Sequence, residues 1–184
     1  SHIVSIARFL LGPIVETSAA SATLHKTRPV SAGSAERAPV VVDDMTNALV
    51  RFSSGVLGSI EANWTATGRT MDLSFEVTGT KGAIAFSQER MNELLLTQGT
   101  GSTAGFTRIE AGPSHPPYGQ FCPAAGHHLG FNDLKVIEVA QLIDAHCGGS
   151  LCGPDFREAL AVQETIEAIQ RSASSRSWEA TTMA

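Results

Sequence analysis

Residues 43–64 read DDMTNALVRFSSGVLGSIEANW, and this stretch decides the fold. The even positions Ala48, Val50 and Phe52 are apolar, and after the turn at residues 53–55 the alternation returns in Val56, Ile60, Ala62 and Trp64. A period of two is typical of a β-strand that buries one face, so the stretch predicts a β-hairpin. Leu49 and Leu57 fall on the other face and are apolar too. They predict association with another molecule through that face.

Further strands and helices are predicted on both sides of this hairpin. The predicted strands are residues 14–24, 44–52, 56–64, 73–78, 83–86, 94–97 and 106–109. The first predicted helix is residues 1–13. The second is residues 132–148, with Asn132 as N-cap and an apolar stripe formed by Val136, Val139, Ala140 and Ile143. The last helix opens with Asp155 and Glu158, and its inward-facing residues are Ala159, Val162, Ile166 and Ile169. Residues 26–39 and 111–130 are predicted loops. This order predicts an α+β fold with an open-faced, mainly antiparallel sheet and helices on one face.

Composition narrows the class of protein. The chain has 184 residues, 42% of them hydrophobic, and can bury a core as one domain or at most two small ones. A net charge of -5 without a Lys/Arg cluster argues against a nucleic-acid partner. No apolar run is long enough to span a membrane. Three cysteines without CxxC spacing predict neither a disulfide framework nor a metal site, and we expect free thiols in the cytoplasm.

Residues 99–105 read GTGSTAG and resemble a phosphate-binding glycine loop. Such a loop follows a buried strand and opens a helix, whereas a strand is predicted next here. We therefore expect a flexible hairpin loop and no cofactor-binding residues in this chain.

His2 stands at the start of the first predicted helix, where an imidazole can face a cleft and titrate near neutral pH. Taken on residue type alone, a capping or surface histidine, or the remainder of an expression tag, is the more common case.

Other polar groups carry weaker signals. His127 and His128 are adjacent, so they point to different sides, and loop hydrogen bonding is favoured over metal binding. Arg69 lies between two strands and could hold a hydroxylated or an anionic substrate, or be solvated. Asp43 and Asp44 precede a strand and face apart, which favours solvation over paired carboxylate chemistry.

Several stretches in order resemble the C-terminal domain of the glucose-fructose oxidoreductase, inositol dehydrogenase and rhizopine-catabolism (GFO/IDH/MocA) family of NAD(P)-dependent oxidoreductases. The resemblance covers nearly the whole chain. The stretches are residues 2–12, DDMTNALVRFSSGVLGSIEANW from Asp43, ATGRTMDLSFEVTGTKGAIAFSQERMNEL from Ala66, GHHLGFNDLKVIEVAQLIDA from Gly126 and GPDFREALAVQETIEAIQRSASSRSW from Gly153.

The resemblance implies a substrate-binding and oligomerisation domain over residues 1–184 of a dehydrogenase acting on a sugar, inositol or related polyol. It implies that His2 takes the substrate hydroxyl proton, and that Arg69, Thr70 and Met71 reach the substrate while His127 and His128 close the same cleft. Where many members carry a second Asp, this chain has Ser5.

The resemblance also implies the partners. An N-terminal Rossmann domain is expected to bind NAD or NADP, with residues 1–13 as the end of the helix that enters from it. This chain alone is then expected neither to bind the dinucleotide nor to turn over. A homo-oligomer through the open sheet face is expected. The alternative is a stand-alone, non-catalytic binding or assembly module of the same fold.

Overall fold

The computed structural model describes residues 1–99, 101–102, 104–150 and 153–182. Its helices are α1 (His2–Leu11), α2 (Tyr118–Phe121), α3 (Phe131–His146) and α4 (Phe156–Ser175), with a 3-10 helix at Gln88–Arg90. Its strands are β1 (Ile14–Ala22), β2 (Thr27–Pro29), β3 (Arg37–Pro39), β4 (Met45–Phe52), β5 (Leu57–Asn63), β6 (Ser74–Gly79), β7 (Gly82–Ser87), β8 (Glu93–Gln98), β9 (Thr107–Glu110) and β10 (Glu179–Ala180). Every strand pairing among these residues is antiparallel, so the predicted α+β class with mainly antiparallel strands is confirmed. The strands form two four-stranded sheets and one two-stranded sheet, whereas the sequence predicted one sheet.

The chain forms two compact units, residues 1–68 with 154–184, and residues 69–153. The expected single substrate-binding and oligomerisation domain over residues 1–184 is a statement about function and stays a prediction. Within the described ranges, no helix is both long and apolar enough to cross a membrane.

The first unit is built on a four-stranded sheet in the order β10-β1-β4-β5. The predicted hairpin is its β4–β5 pair, with Ala48 opposite Ile60 in the register. Val50 and Phe52 face inward from β4 and are almost completely buried. Burying a side chain of the size of Phe52 contributes about 1.5–3 kcal/mol, so this alternation stabilises the unit.

Helices α1 and α4 cover the inner face of this sheet. Val4 of α1 and Val162 and Ile169 of α4 join the strand residues in one core. The α1 helix ends where predicted, because Gly12 adopts a positive φ of 88°. Leu49 on the outer face stays 55% exposed, so the sheet is open on that side as predicted.

The second unit contains a four-stranded sheet in the order β6-β7-β8-β9. Thr80 and Lys81 form the turn between β6 and β7, with Gly79 opposite Gly82. A side chain at Gly82 would place its Cβ 2.2 Å from the carbonyl oxygen of Thr97 on β8. Only glycine fits at this close approach between strands.

Four details differ from the sequence predictions. Residues 26–39 are not all loop, because they contain the short paired strands β2 and β3. The predicted loop 111–130 contains the one-turn helix α2. The cap of helix α3 lies two residues earlier than predicted, at Gly130 rather than Asn132, since the Asp133 carboxylate accepts from the Gly130 N–H at 2.7 Å. In α4, Ala159 is exposed and the small Ala161 and Ala168 are buried instead.

Candidate functional site

His2 lies in the first turn of α1, in the first compact unit, and its side chain is exposed. Its Nδ1 is 3.5 Å from the Ser1 hydroxyl. The position follows from the core packing of Val4 and Ala7, which fixes the buried face of the helix and turns residue 2 outward.

Arg69 and Thr70 lie in the loop before β6 and meet at one carboxylate, that of Glu89. The Thr70 N–H and hydroxyl both donate to Glu89 Oε1, at 3.1 and 3.0 Å. The Arg69 guanidinium is 3.5 Å from Glu89 Oε2 and 3.3 Å from Asp72. The Thr70 N–H and hydroxyl, followed by the charge of Arg69, lower the pKa of Glu89. The loop is therefore held by an ionised carboxylate at neutral pH.

Met71 follows in the same loop and is exposed. Its carbonyl oxygen accepts from the Leu73 N–H at 3.0 Å, and Gln88 donates its backbone N–H to the Leu73 carbonyl at 2.9 Å. These bonds fix the end of the loop against the start of the 3-10 helix. The thioether of Met71 is thus presented to solvent from an anchored backbone.

His127 and His128 lie in the loop before α3, and both are exposed. The carbonyl oxygen of His127 accepts a hydrogen bond from the buried thiol of Cys122. The next residue, Leu129, is buried, and its backbone is held at both ends by Asn92: its N–H donates to Oδ1 and its carbonyl accepts from Nδ2, each at 3.0 Å. The two imidazoles therefore project from a fixed backbone.

Tyr118 adds a second contact to the Asn92 amide. Its hydroxyl donates to Asn92 Oδ1 at 3.3 Å. Burial, and then the nearby Cys122 thiol, raise the pKa of Tyr118. The phenol thus stays protonated and able to donate this bond throughout the neutral range.

The turn between β7 and β8, residues 88–92, anchors both candidate segments of the second unit. Glu89 holds the Arg69–Thr70 loop, and Asn92 holds the loop that carries His127 and His128. The sequence reasoning missed both anchors. No spacing signal links residues that are 19 to 37 positions apart, although a polar residue between two apolar strands is a place to look for one.

The sequence favoured solvation for both Asp43 and Asp44, but the structure differs for Asp44. Asp44 is buried and accepts from the N–H groups of Leu24 and His25 at 2.7 and 2.9 Å, and from Arg28 at 3.0 Å. The His25 N–H is the largest cause that lowers the pKa of Asp44. The Asp44 carboxylate thus connects the residues that begin the β2–β3 hairpin to the residue that precedes β4.

The glycine-rich segment at residues 99–105 lies between two strands. Strand β9 pairs with β8 beyond residues 99–105, so this segment joins two strands, although Thr100 and Thr103 lie outside the described residues. Among the described residues no strand runs through a glycine-rich turn directly into a helix, so they do not fit a dinucleotide. In the same part of the chain no three His, Cys, Asp or Glu side chains group as metal ligands.

The cysteines were predicted to be free. Cys122 and Cys147 are free thiols, the first buried and the second exposed. Cys152 lies outside the described residues.

Grooves lie at two places on the described part of the first unit. One, of about 450 Å³, lies on the outer face of the sheet along β1, β4 and β5. The other lies at the C-terminal end of α4 beside Glu179. His2 is not among the residues that line either groove.

Comparison with known proteins gives a consistent family. Residues 1–85 match the family model described as the GFO/IDH/MocA C-terminal domain. A levoglucosan dehydrogenase from Pseudarthrobacter phenanthrenivorans is 32% identical over 192 residues, a match that covers 97% of this chain and 49% of that protein. The chain thus spans about half the length of this relative.

Solved structures agree over the same length. An NAD binding oxidoreductase from Klebsiella pneumoniae is 38% identical with a TM-score of 0.89, covering 98% of this chain and 48% of that one. A levoglucosan dehydrogenase in complex with NADH and L-sorbose is 31% identical with a TM-score of 0.93, covering 100% of this chain and 48% of that one. The similarity therefore includes both the fold and the sequence.

Proposed function

We propose that this chain is the substrate-binding and assembly domain of an NAD(P)-dependent dehydrogenase of the GFO/IDH/MocA family, whose C-terminal-domain model matches residues 1–85. The proposed substrate is a sugar, inositol or related polyol. One observation carries the proposal: the similarity to NADH-binding sugar dehydrogenases runs over the whole chain.

The proposed catalytic residue is His2. Oxidation of a secondary alcohol breaks the C–H and O–H bonds, and the electron pair of the C–H bond leaves as hydride. A nicotinamide, when bound, accepts that hydride. The imidazole of His2 takes the hydroxyl proton as the carbonyl forms, a task suited to a side chain whose neutral form has a free ring nitrogen that can accept a proton.

The proposed substrate contacts are Arg69, Thr70 and Met71 on one loop and His127 and His128 on the other. Their support is the shared anchor at residues 88–92, which holds both loops in the second unit. Sites need side chains held on fixed backbone, and both segments meet this requirement.

The dinucleotide is proposed to bind in a Rossmann domain of the complete protein, since the described residues of this chain do not fit one. NADH fluorescence titration of this chain alone should accordingly show no saturable binding. Micromolar binding would contradict this division of roles.

The deciding experiment uses the complete natural polypeptide that contains these residues. We expect reduction of NAD or NADP with a sugar or polyol, and a loss of about 10²–10⁴-fold in kcat for His2→Asn with dinucleotide affinity unchanged. His146→Asn, at the exposed end of α3, is the matched control. Full activity of His2→Asn would remove His2 from the mechanism, and no dinucleotide reduction with any sugar would favour a non-catalytic module.

Self-association is proposed to use the outer face of the β10-β1-β4-β5 sheet. This proposal is supported by Leu49 and Leu57, which are exposed on the side of the sheet that α1 and α4 do not cover.

A further inference from the structure

Arg69 is the one guanidinium among the proposed substrate-binding residues, and a carboxylate lies on each side of it. Its Nε is 3.3 Å from Asp72, and its Nη1 is 3.5 Å from Glu89. The Arg69 side chain is 61% exposed, so a ligand can still reach it. Arg69, Asp72 and Glu89 together carry one net negative charge.

The donors of Thr70 are occupied by Glu89 as well. The Thr70 N–H and hydroxyl, which could otherwise bind a carboxylate or phosphate, both donate to Glu89. An anionic ligand could reach the two Thr70 donors only by displacing Glu89, and at Arg69 it would meet Asp72 and Glu89 as like charges. A neutral hydroxyl can instead donate to these carboxylates without that repulsion.

We infer that Asp72 and Glu89 are specificity-determining residues that neutralise Arg69, so that the site takes neutral polyhydroxylated substrates and disfavours those with a carboxylate or phosphate. This inference rests on the proposed function. It resolves the choice that the sequence left open for Arg69, between a hydroxylated and an anionic ligand.

The test compares neutral sugars and polyols, each paired with its uronate or aldonate, as substrates of the complete enzyme with its dinucleotide. The unsubstituted enzyme should prefer the neutral member of each pair. In Asp72→Asn/Glu89→Gln the ratio of kcat/KM values should move toward the anion by about tenfold or more. Glutamine keeps an oxygen that can accept from Thr70, and Asp72→Asn alone leaves the Thr70 bonds intact, so a folded variant is available.

Two controls isolate the charge. Glu76→Gln removes an exposed carboxylate from β6 and should leave the ratio unchanged. Arg69→Gln added to the double variant should abolish the gain for the anion. Two results would overturn the inference while the proposed function stands. One is a preference of the unsubstituted enzyme for the anion, and the other is a kcat/KM ratio that the double substitution leaves unchanged. An enzyme that oxidises no member of any pair overturns both.

Discussion

Asn92 is one side chain that satisfies both backbone groups of a buried residue, Leu129, 37 positions away. Its amide also accepts from Tyr118. Because these bonds need both an acceptor and a donor, a carboxylate, which only accepts, cannot replace the amide in all three. The residue thus sets the position of the loop that carries His127 and His128.

We predict that Asn92→Ala loosens this loop. Leaving the Leu129 N–H and carbonyl without partners should cost about 1–3 kcal/mol of unfolding free energy. Hydrogen exchange should speed up across residues 111–130, and Asn92→Asp should give a smaller change because it keeps the acceptor. Asn132→Ala, at an exposed position of α3, is the control. Unchanged exchange in Asn92→Ala would show that the loop is held by other contacts.

Asp44 predicts a pH dependence. Its pKa is lowered in the folded state, mainly by the His25 N–H, so it stabilises the fold fully above its ordinary pKa of 3.8. That contribution is lost as the pH falls through the lowered value. Unfolding by denaturant, measured from pH 7 downward, should show Asp44→Asn less stable at pH 7 but with a weaker loss in acid. Asp43→Asn is the neighbouring control, and parallel curves for both variants would refute this role.

At the level of elements, the clearest contact is the ion pair between α1 and α4. Arg8 donates to both carboxylate oxygens of Glu158, at 2.8 and 3.1 Å. The two partners differ in burial, since the Arg8 side chain is 7% exposed and that of Glu158 is 33% exposed. Arg8 Nη1 is also buried without a hydrogen-bond partner. Arg8 would therefore be left as a buried, unpaired charge without Glu158, whereas Glu158 could be solvated without Arg8.

Because only Arg8 is deeply buried, we predict that substitutions of Arg8 and of Glu158 lower the unfolding free energy by different amounts. Glu158→Ala leaves a buried cation unpaired and should lower the unfolding free energy by about 3 kcal/mol. Arg8→Met fills the space and leaves only a half-exposed carboxylate, so it should cost about 1 kcal/mol or less. The double variant should be more stable than Glu158→Ala, as measured by urea unfolding. A double variant that is the least stable of the three would contradict this reasoning.

The elements also show what a sequence can predict. The β4–β5 hairpin follows from alternation alone, because Val50 and Phe52 must share one face. Strands β2 and β3 have no apolar alternation and depend on Asp44, whose partners lie up to 20 residues away. The candidate site divides in the same way. The resemblance suggests Arg69 and His127, but their anchors Glu89 and Asn92 are long-range contacts that no local pattern encodes.

At the scale of the whole molecule, the first sheet has two unlike faces. Its inner face is covered by α1 and α4, whereas its outer face shows two leucines among charged residues. Glu16 and Arg51 pair on this outer face, and Arg51 lies 5.6 Å from the ring centre of Trp178. A surface that carries acidic and basic groups beside apolar ones can meet a copy of itself without net like-charge repulsion. Such a surface suits a two-fold interface between identical chains.

We predict that this chain self-associates through that face and that Leu49→Lys/Leu57→Lys abolishes the association. Leu49 and Leu57 are 55% and 63% exposed, and a charge at each would have to be desolvated in the interface. Sedimentation equilibrium should show a multiple of the chain mass for the unsubstituted protein and the single mass for the double variant. Leu160→Lys, on the exposed side of α4, should behave like the unsubstituted chain. A monomeric unsubstituted chain, or equal loss of association in Leu160→Lys, would rule out this face as the specific contact.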